Sequence, residues 1–183
     1  ANEFSSFAQM PKTQEEYIEL NEMLTNMMGL YEENNENLNI VKSFGEEDSY
    51  VYTDRTQLNR VFLNIVKNAI VAMNELDQGV LIVTVKQSVD TVIVSFSDNG
   101  SGIPLDRQSK VFVPSFTSKS SGMGLGLAIS KNIILNAGGQ IWFESTEGEG
   151  TTFTIALPAF SPSDDGPPPD DRSDGDLDHE MRP

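Results

Sequence analysis

Apolar residues recur at helical spacing in three stretches of this chain, and short β-branched runs lie between them, so helices and strands are expected to interleave. Leu20, Met23, Leu24, Met27, Met28 and Tyr31 form an i, i+3, i+4 stripe, and Asn21 reads as its N-cap. The strongest helix follows Asp54. Asp54 with Gln57 makes a capping-box pattern, and Leu58, Val61, Phe62, Ile65, Val66, Ala69, Ile70 and Met73 keep one apolar face. Residues 125–137 read as a largely buried helix stopped by Gly138 and Gly139. Strands are expected at 38–44 and 50–53, joined by an acidic turn, and as an antiparallel pair at 80–86 and 91–97. A last hairpin is expected at 140–145 and 151–157. Helices packed on one face of a mixed, mainly antiparallel sheet give an α+β two-layer sandwich.

The two ends differ from this middle. Phe4, Phe7 and Ala8 before Pro11 suggest the last turns of a helix over 1–12, the folded domain is expected over 13–160, and 161–183 reads as an acidic disordered tail. His179, the single histidine, falls in that tail and reads as solvated.

Charge narrows the function classes. The chain of 183 residues carries 28 acids against 12 Lys and Arg, a formal net charge of −16, which argues against a nucleic-acid surface. It contains no cysteine, so disulfides and thiolate metal sites are excluded, and a cytoplasmic setting is favoured. No apolar run reaches the roughly 18 residues of a membrane span, so no membrane contact by this fragment is expected.

Three clusters carry candidate chemistry. Asp98, Asn99, Gly100, Ser101 and Gly102 follow a strand: a carboxylate there can accept from an exocyclic amine, and the glycines let the backbone lie close to a flat ring. Adenine fits both demands, and an ordinary DNG turn is the alternative. Gly122, Met123, Gly124, Leu125 and Gly126 lead into a helix, as a phosphate-binding loop does, although glycines also allow close helix packing. Asn64, Lys67 and Asn68 share one face of the long helix, where amide oxygens suit Mg²⁺ and a lysine suits phosphate; plain surface is the alternative.

From about residue 21 to 157 the sequence resembles the ATP-binding catalytic domain of two-component sensor histidine kinases, in the superfamily shared with DNA gyrase B, MutL and the large heat-shock chaperones. LNIVKNA matches the family's N box, DNGSGIP its first glycine box, VFVPSFTSK its F box, GMGLGLAIS its second glycine box and GTTFTI its closing hairpin. SFTSK, the Lys67–Asn68 pair and the NEFSSFAQMP start resemble the nitrogen-regulation branch, in which such a start ends the second helix of the dimerisation and phosphoacceptor bundle.

The resemblance implies the site. Asp98 would bind the adenine amine, Gly102 would line the ring pocket, Gly100 and Ile103 would also belong to the nucleotide site, and Thr151 would reach adenine through water. Asn68 would coordinate Mg²⁺, Asn64 and Lys67 would assist at the phosphates, and Gly122, Met123, Gly124, Leu125 and Gly126 would shape the phosphate loop. Residues 112–121 would form an ATP lid carrying Phe116 and Lys119. ATP-hydrolysing relatives carry Glu where Asn64 stands, and an amide is no general base at neutral pH, so transfer of the γ-phosphoryl to a protein is favoured over hydrolysis.

The expected activity is therefore a protein histidine kinase whose phosphoacceptor His lies on a separate bundle absent from this chain. Its expected partners are ATP, that bundle and a response regulator, in a homodimeric parent, cytoplasmic or anchored in the inner membrane. A non-catalytic nucleotide-sensing module and an anti-sigma-type Ser kinase are the rival readings.

Overall fold

The computed structural model describes residues 13–114 and 123–162. The expected helix over 1–12, the lid residues from 115 and the tail from 163 lie outside them.

The first element among the described residues is a strand absent from the sequence reading, β1 (Glu15–Glu19), which pairs antiparallel with β3 (Tyr50–Asp54). Only five residues long, it offers little alternation, and Ile18 alone is fully buried. Helix α1 (Leu20–Asn34) follows without a gap. Its N-cap is Glu19 rather than Asn21: the Glu19 carboxylate accepts from the Asn21 and Glu22 amides at 2.8 and 2.6 Å. A carboxylate placed there satisfies two orphan N–H groups and meets the positive end of the helix dipole. Asn21 turns away and donates to the Glu47 carbonyl.

Strand β2 (Leu38–Phe44) does not pair with β3 across the acidic turn. It lies parallel to β4 (Gly79–Gln87), with Leu38 opposite Gly79 and Phe44 opposite Val85. The link between these parallel strands is the 18-residue α2 (Arg55–Ala72), whose rise of about 27 Å carries the chain back along the sheet. Asp54 caps α2 by accepting from the Gln57 amide at 2.9 Å, while its other oxygen accepts from the Gln14 amide. The reciprocal half of the expected capping box does not form: among the described residues Gln57 Oε1 is buried without a hydrogen-bond partner.

The sheet continues through β5 (Thr91–Asp98), β7 (Gly150–Pro158) and β6 (Gln140–Thr146) in the order β2-β4-β5-β7-β6. Three of its four pairings are antiparallel, as the mixed, mainly antiparallel sheet required. Between β5 and β6 lie a single turn, α3 (Leu105–Gln108), and α4 (Met123–Asn136). Helix α4 ends at the expected glycines. Gly138 has φ +76, its amide returns to the Leu135 carbonyl, and the Gly139 amide reaches that of Ile134.

The core lies between the helices and one face of the sheet. Leu81, Val83 and Val85 of β4 are buried while Ile82 between them and Lys86 after them are exposed. Phe62 of α2 meets Phe96 of β5 at 5.5 Å between ring centroids, joining the two layers. After β7, the Phe160 amide donates to the Tyr50 carbonyl and its ring meets Tyr52, tying the chain back to the β1–β3 pair.

Candidate nucleotide site

Strand β5 delivers Asp98 to the rim of the core, 8 % exposed. Its Oδ1 accepts from the Gly100 amide at 2.9 Å and the Thr151 amide at 3.3 Å. Among the described residues nothing bonds Oδ2. Burial pushes the carboxyl above its ordinary value, and the two amide hydrogen bonds pull it partly back. The site thus holds a pinned carboxylate with one free acceptor.

Asp98 lines a cleft of about 740 Å³, within the roughly 300–1,000 Å³ of small-molecule sites. Ala69 and Ala72 of α2, with Val111, Leu127 and Phe153, supply apolar wall, and Asn68 stands on the α2 side, half-buried. A second cleft, about 790 Å³, lies between α1 and α2, but its lining of Met, Leu, Asn and Arg55 holds no carboxylate. Size does not separate the two; chemistry does.

The glycines after Asp98 are required by close backbone packing. A Cβ on Gly100 would stand 2.6 Å from the Ala72 carbonyl oxygen, and the next amide, of Ser101, donates to that same oxygen at 2.9 Å. Gly102 has φ +67, and a Cβ there would lie 2.1 Å from the Thr146 carbonyl oxygen. These contacts bring the loop over 99–104 against both the end of α2 and the β6–β7 turn. Asn99 extends the ladder, its Oδ1 accepting from the Val80 amide at 2.8 Å.

Of the residues named from sequence, Asn68, Asp98, Gly102, Ile103 and Thr151 share the cleft. Gly100 supports it from behind. Lys67 is exposed on α2 outside the lining, and Leu125 and Gly126 lie in the first turns of α4. Met123 and Gly124 begin that helix, while Phe116, Lys119 and Gly122 are outside the described residues. Asn64 turns to α4: its Nδ2 donates to the Gly126 carbonyl at 3.1 Å and to Ser130 Oγ at 3.2 Å. Phe112, at the start of the expected lid, is anchored. Its ring packs on Phe143 and Phe153 at 5.9 and 6.4 Å, with the Lys131 ammonium 5.3 Å from its centroid.

Arg107 and Lys110 were missed by the sequence reading and line the same cleft. A signal existed: two cations at i, i+3 directly after the first glycine box of an acidic chain. Ser145 and Gln108, which bond the loop from behind, left none, because their role depends on strand register.

Residues 53–161 match the family described as histidine kinase-, DNA gyrase B-, and HSP90-like ATPase. The chain belongs to this family. Sensor histidine kinase ZraS of Salmonella typhi is 36% identical over 151 residues, covering 81% of this chain and 32% of that protein. Sensor protein FixL of Bradyrhizobium diazoefficiens is 38% identical over 133 residues, 72% of this chain and 26% of its own. The nucleotide-free catalytic domain of histidine kinase ThkA superposes with a TM-score of 0.70 at 34% identity, covering 79% of this chain and 97% of the domain. ThkA solved in complex with response regulator protein TrrA gives 0.72 at 30% identity, covering 86% of this chain and 46% of that one. Within the family, then, this is an ATP-binding catalytic domain of the sensor-histidine-kinase kind. The chain spans about a third or less of the length of the curated relatives it matches. Among the described residues no helix is long and apolar enough to cross a membrane.

Proposed function

We propose that this domain holds Mg·ATP and presents its γ-phosphoryl group to a histidine on a separate helical bundle, from which a response regulator then receives it. The observation that carries the base end is Asp98. Two backbone amides fix Oδ1, so Oδ2 stands ready to accept from the exocyclic amine of adenine within apolar walls. Ile103, Val111 and Leu127 exclude water from the ring, and Thr151 completes the base end.

The phosphate end is assigned to Asn68, Arg107, Lys110 and the start of α4. The Asn68 amide oxygen suits a hard cation that keeps several waters, and the two cations offset phosphate charge in a chain of net charge −16. The amides that open α4 point along a helix dipole favourable to anions. When bound, the nucleotide supplies the phosphoryl group and its metal neutralises the developing charge. The chain's own contribution is position and charge, since Asn64 stands where hydrolytic relatives carry a general base and is engaged with α4.

Calorimetric titration with ADP and with a non-hydrolysable ATP analogue, with and without Mg²⁺, tests the pocket. Micromolar-to-submillimolar binding strengthened by metal is expected, and a folded domain that binds neither nucleotide refutes the reading. Asn68→Ala then separates a kinase from a docking module. Supplied with a bundle that bears the phosphoacceptor His, the variant should lose phosphotransfer; retained transfer counts against the assignment of Asn68.

A further inference from the structure

Loop 99–104 carries Gly102 and Ile103 into the cleft, yet it belongs to no helix or strand. Two side chains outside the cleft hold it. Ser145 of β6 sits opposite Thr151 of β7, and its Oγ accepts from the Ile103 amide at 2.8 Å while lying 2.8 Å from Thr151 Oγ1 and 3.0 Å from the Gly150 carbonyl. Gln108 of α3 spends its Nε2 on the carbonyls of Ile103 at 2.9 Å and Ser145 at 3.2 Å. Both backbone polar groups of Ile103 are thereby engaged from behind, and its apolar side chain is left to the cleft.

The Ser145 hydroxyl has a single hydrogen. If it goes to the Gly150 carbonyl, Thr151 must donate to Ser145 and keeps only lone pairs for a ligand; if it goes to Thr151, the Thr151 hydrogen is free to point elsewhere. Ser145 therefore decides what Thr151 can offer. The same apposition recurs along the loop, where the Gly148 amide donates to the Ser101 carbonyl at 2.7 Å and a Cβ on Gly150 would strike the Asp98 carbonyl oxygen at 2.0 Å.

We propose that Ser145 and Gln108 are positioning residues for the base end of the site: a clasp that locks loop 99–104 to the β6–β7 hairpin and holds Ile103, Asp98 and Thr151 in one arrangement for an adenine ring. The proposal rests on the nucleotide reading above. Neither residue lines the cleft, so both act through Ile103 and Thr151. Loss of the clasp leaves the Ile103 carbonyl and amide to seek water inside the base pocket. Of the phosphate end, Asn68 on α2 and the start of α4 are not reached by these bonds, while Arg107 and Lys110, beside Gln108, act from the exposed edge of the cleft through long-ranged charge that a small shift of α3 changes little.

That division supplies the test. Gln108→Met keeps the length and loses both donors, Gln108→Glu puts acceptors where two carbonyls need donors, and Ser145→Ala removes the shared hydroxyl. Each variant of the full chain is titrated with ADP and, separately, with inorganic tripolyphosphate, and its melting temperature is recorded. Affinity for ADP should fall about tenfold in Gln108→Met and Ser145→Ala, with tripolyphosphate affinity kept within about twofold; in Gln108→Glu the ADP affinity should fall further, and tripolyphosphate should also weaken because a negative charge is added beside Arg107 and Lys110. An ADP affinity within about twofold of wild type in folded variants overturns the clasp. So does an equal loss for both ligands in Gln108→Met or Ser145→Ala, which marks general loosening. If Ser145→Ala melts below the assay temperature, the charge-neutral Gln108→Met decides. Wild type that binds no ADP refutes the nucleotide reading itself, a result the variants are not needed to see.

Discussion

The Asn64 side-chain amide donates to the Gly126 carbonyl across the α2–α4 interface at 3.1 Å, and a Cβ on Gly126 would stand 3.3 Å from the Asn64 Cγ. One residue of the N box and one of the second glycine box are thus locked together, with buried Ser130 as third member. The glycine is what lets the amide approach. Asn64→Ala should lower stability by about 1–2 kcal/mol, read as a melting temperature lower by about 3–6 °C, and leave ADP affinity nearly unchanged. An unchanged melt with lost affinity would instead return this amide to the phosphates.

Such pairings mark the limit of what the sequence discloses. The 3.6-residue stripe of α2, the glycines ending α4 and the β-branched runs of β4 and β5 are local signals, and those elements appear within a few residues of their expected bounds. Asp98, Asn68 and Thr151 were legible as a set because each sits in a motif of fixed spacing, and they do share one cleft. What stayed hidden was set by tertiary neighbours. β1 is too short to show a period, and Ile18 is its one residue buried in the core. Glu19 took the cap from Asn21 because its longer carboxylate reaches two amides. Asn64 was read as assisting at the phosphates, and the contact of its Nδ2 with α4, which spans 62 residues, has no local signal.

Replacing Asp98 with Asn should separate binding from stability. The Gly100 and Thr151 amides require an acceptor where Oδ1 stands, so the oxygen of the introduced carboxamide is held there and its NH₂ group faces the cleft. A donor then opposes the adenine amine, and ADP affinity should fall by at least about tenfold. Stability moves the other way with pH. Burial raises the native carboxyl above 3.8, so below that value both native and unfolded chains are protonated and no penalty exists. As pH rises through the window above 3.8, the unfolded chain ionises first and wild type loses stability relative to Asp98→Asn until the native carboxyl has also ionised. Paired urea melts between about pH 4 and pH 7 should show this difference growing and then levelling; a constant difference would contradict it.

Two glycines with the same backbone hand should respond unequally to alanine. Gly102 and Gly148 have φ +67 and +83, so each substitution carries the left-handed penalty of about 1–2 kcal/mol. At Gly148 nothing lies within 4 Å of the added Cβ, whereas at Gly102 it would meet the Thr146 carbonyl oxygen at 2.1 Å. Gly102→Ala should therefore cost at least about 2 kcal/mol more than Gly148→Ala in denaturant melts, because the loop must leave the β6–β7 turn to admit the methyl group. Equal costs would mean that the loop retreats freely.

Arg107 and Lys110 stand at the exposed edge of the cleft, so their effect on a charged ligand is long-ranged and screened. In a chain of net charge −16 a polyphosphate meets repulsion everywhere except beside such local cations. Arg107→Ala and Lys110→Ala should each weaken ADP binding about two- to fivefold at low ionic strength and leave adenosine binding unchanged, since adenosine has no charge for them to meet. Raising the salt from about 0.05 to 0.5 M should weaken ADP binding more in wild type than in the double variant, because the variant has already lost the attraction that salt screens. The decisive comparison is adenosine: if its affinity falls as much as that of ADP, the two side chains act on the shape of the cleft and not on phosphate charge.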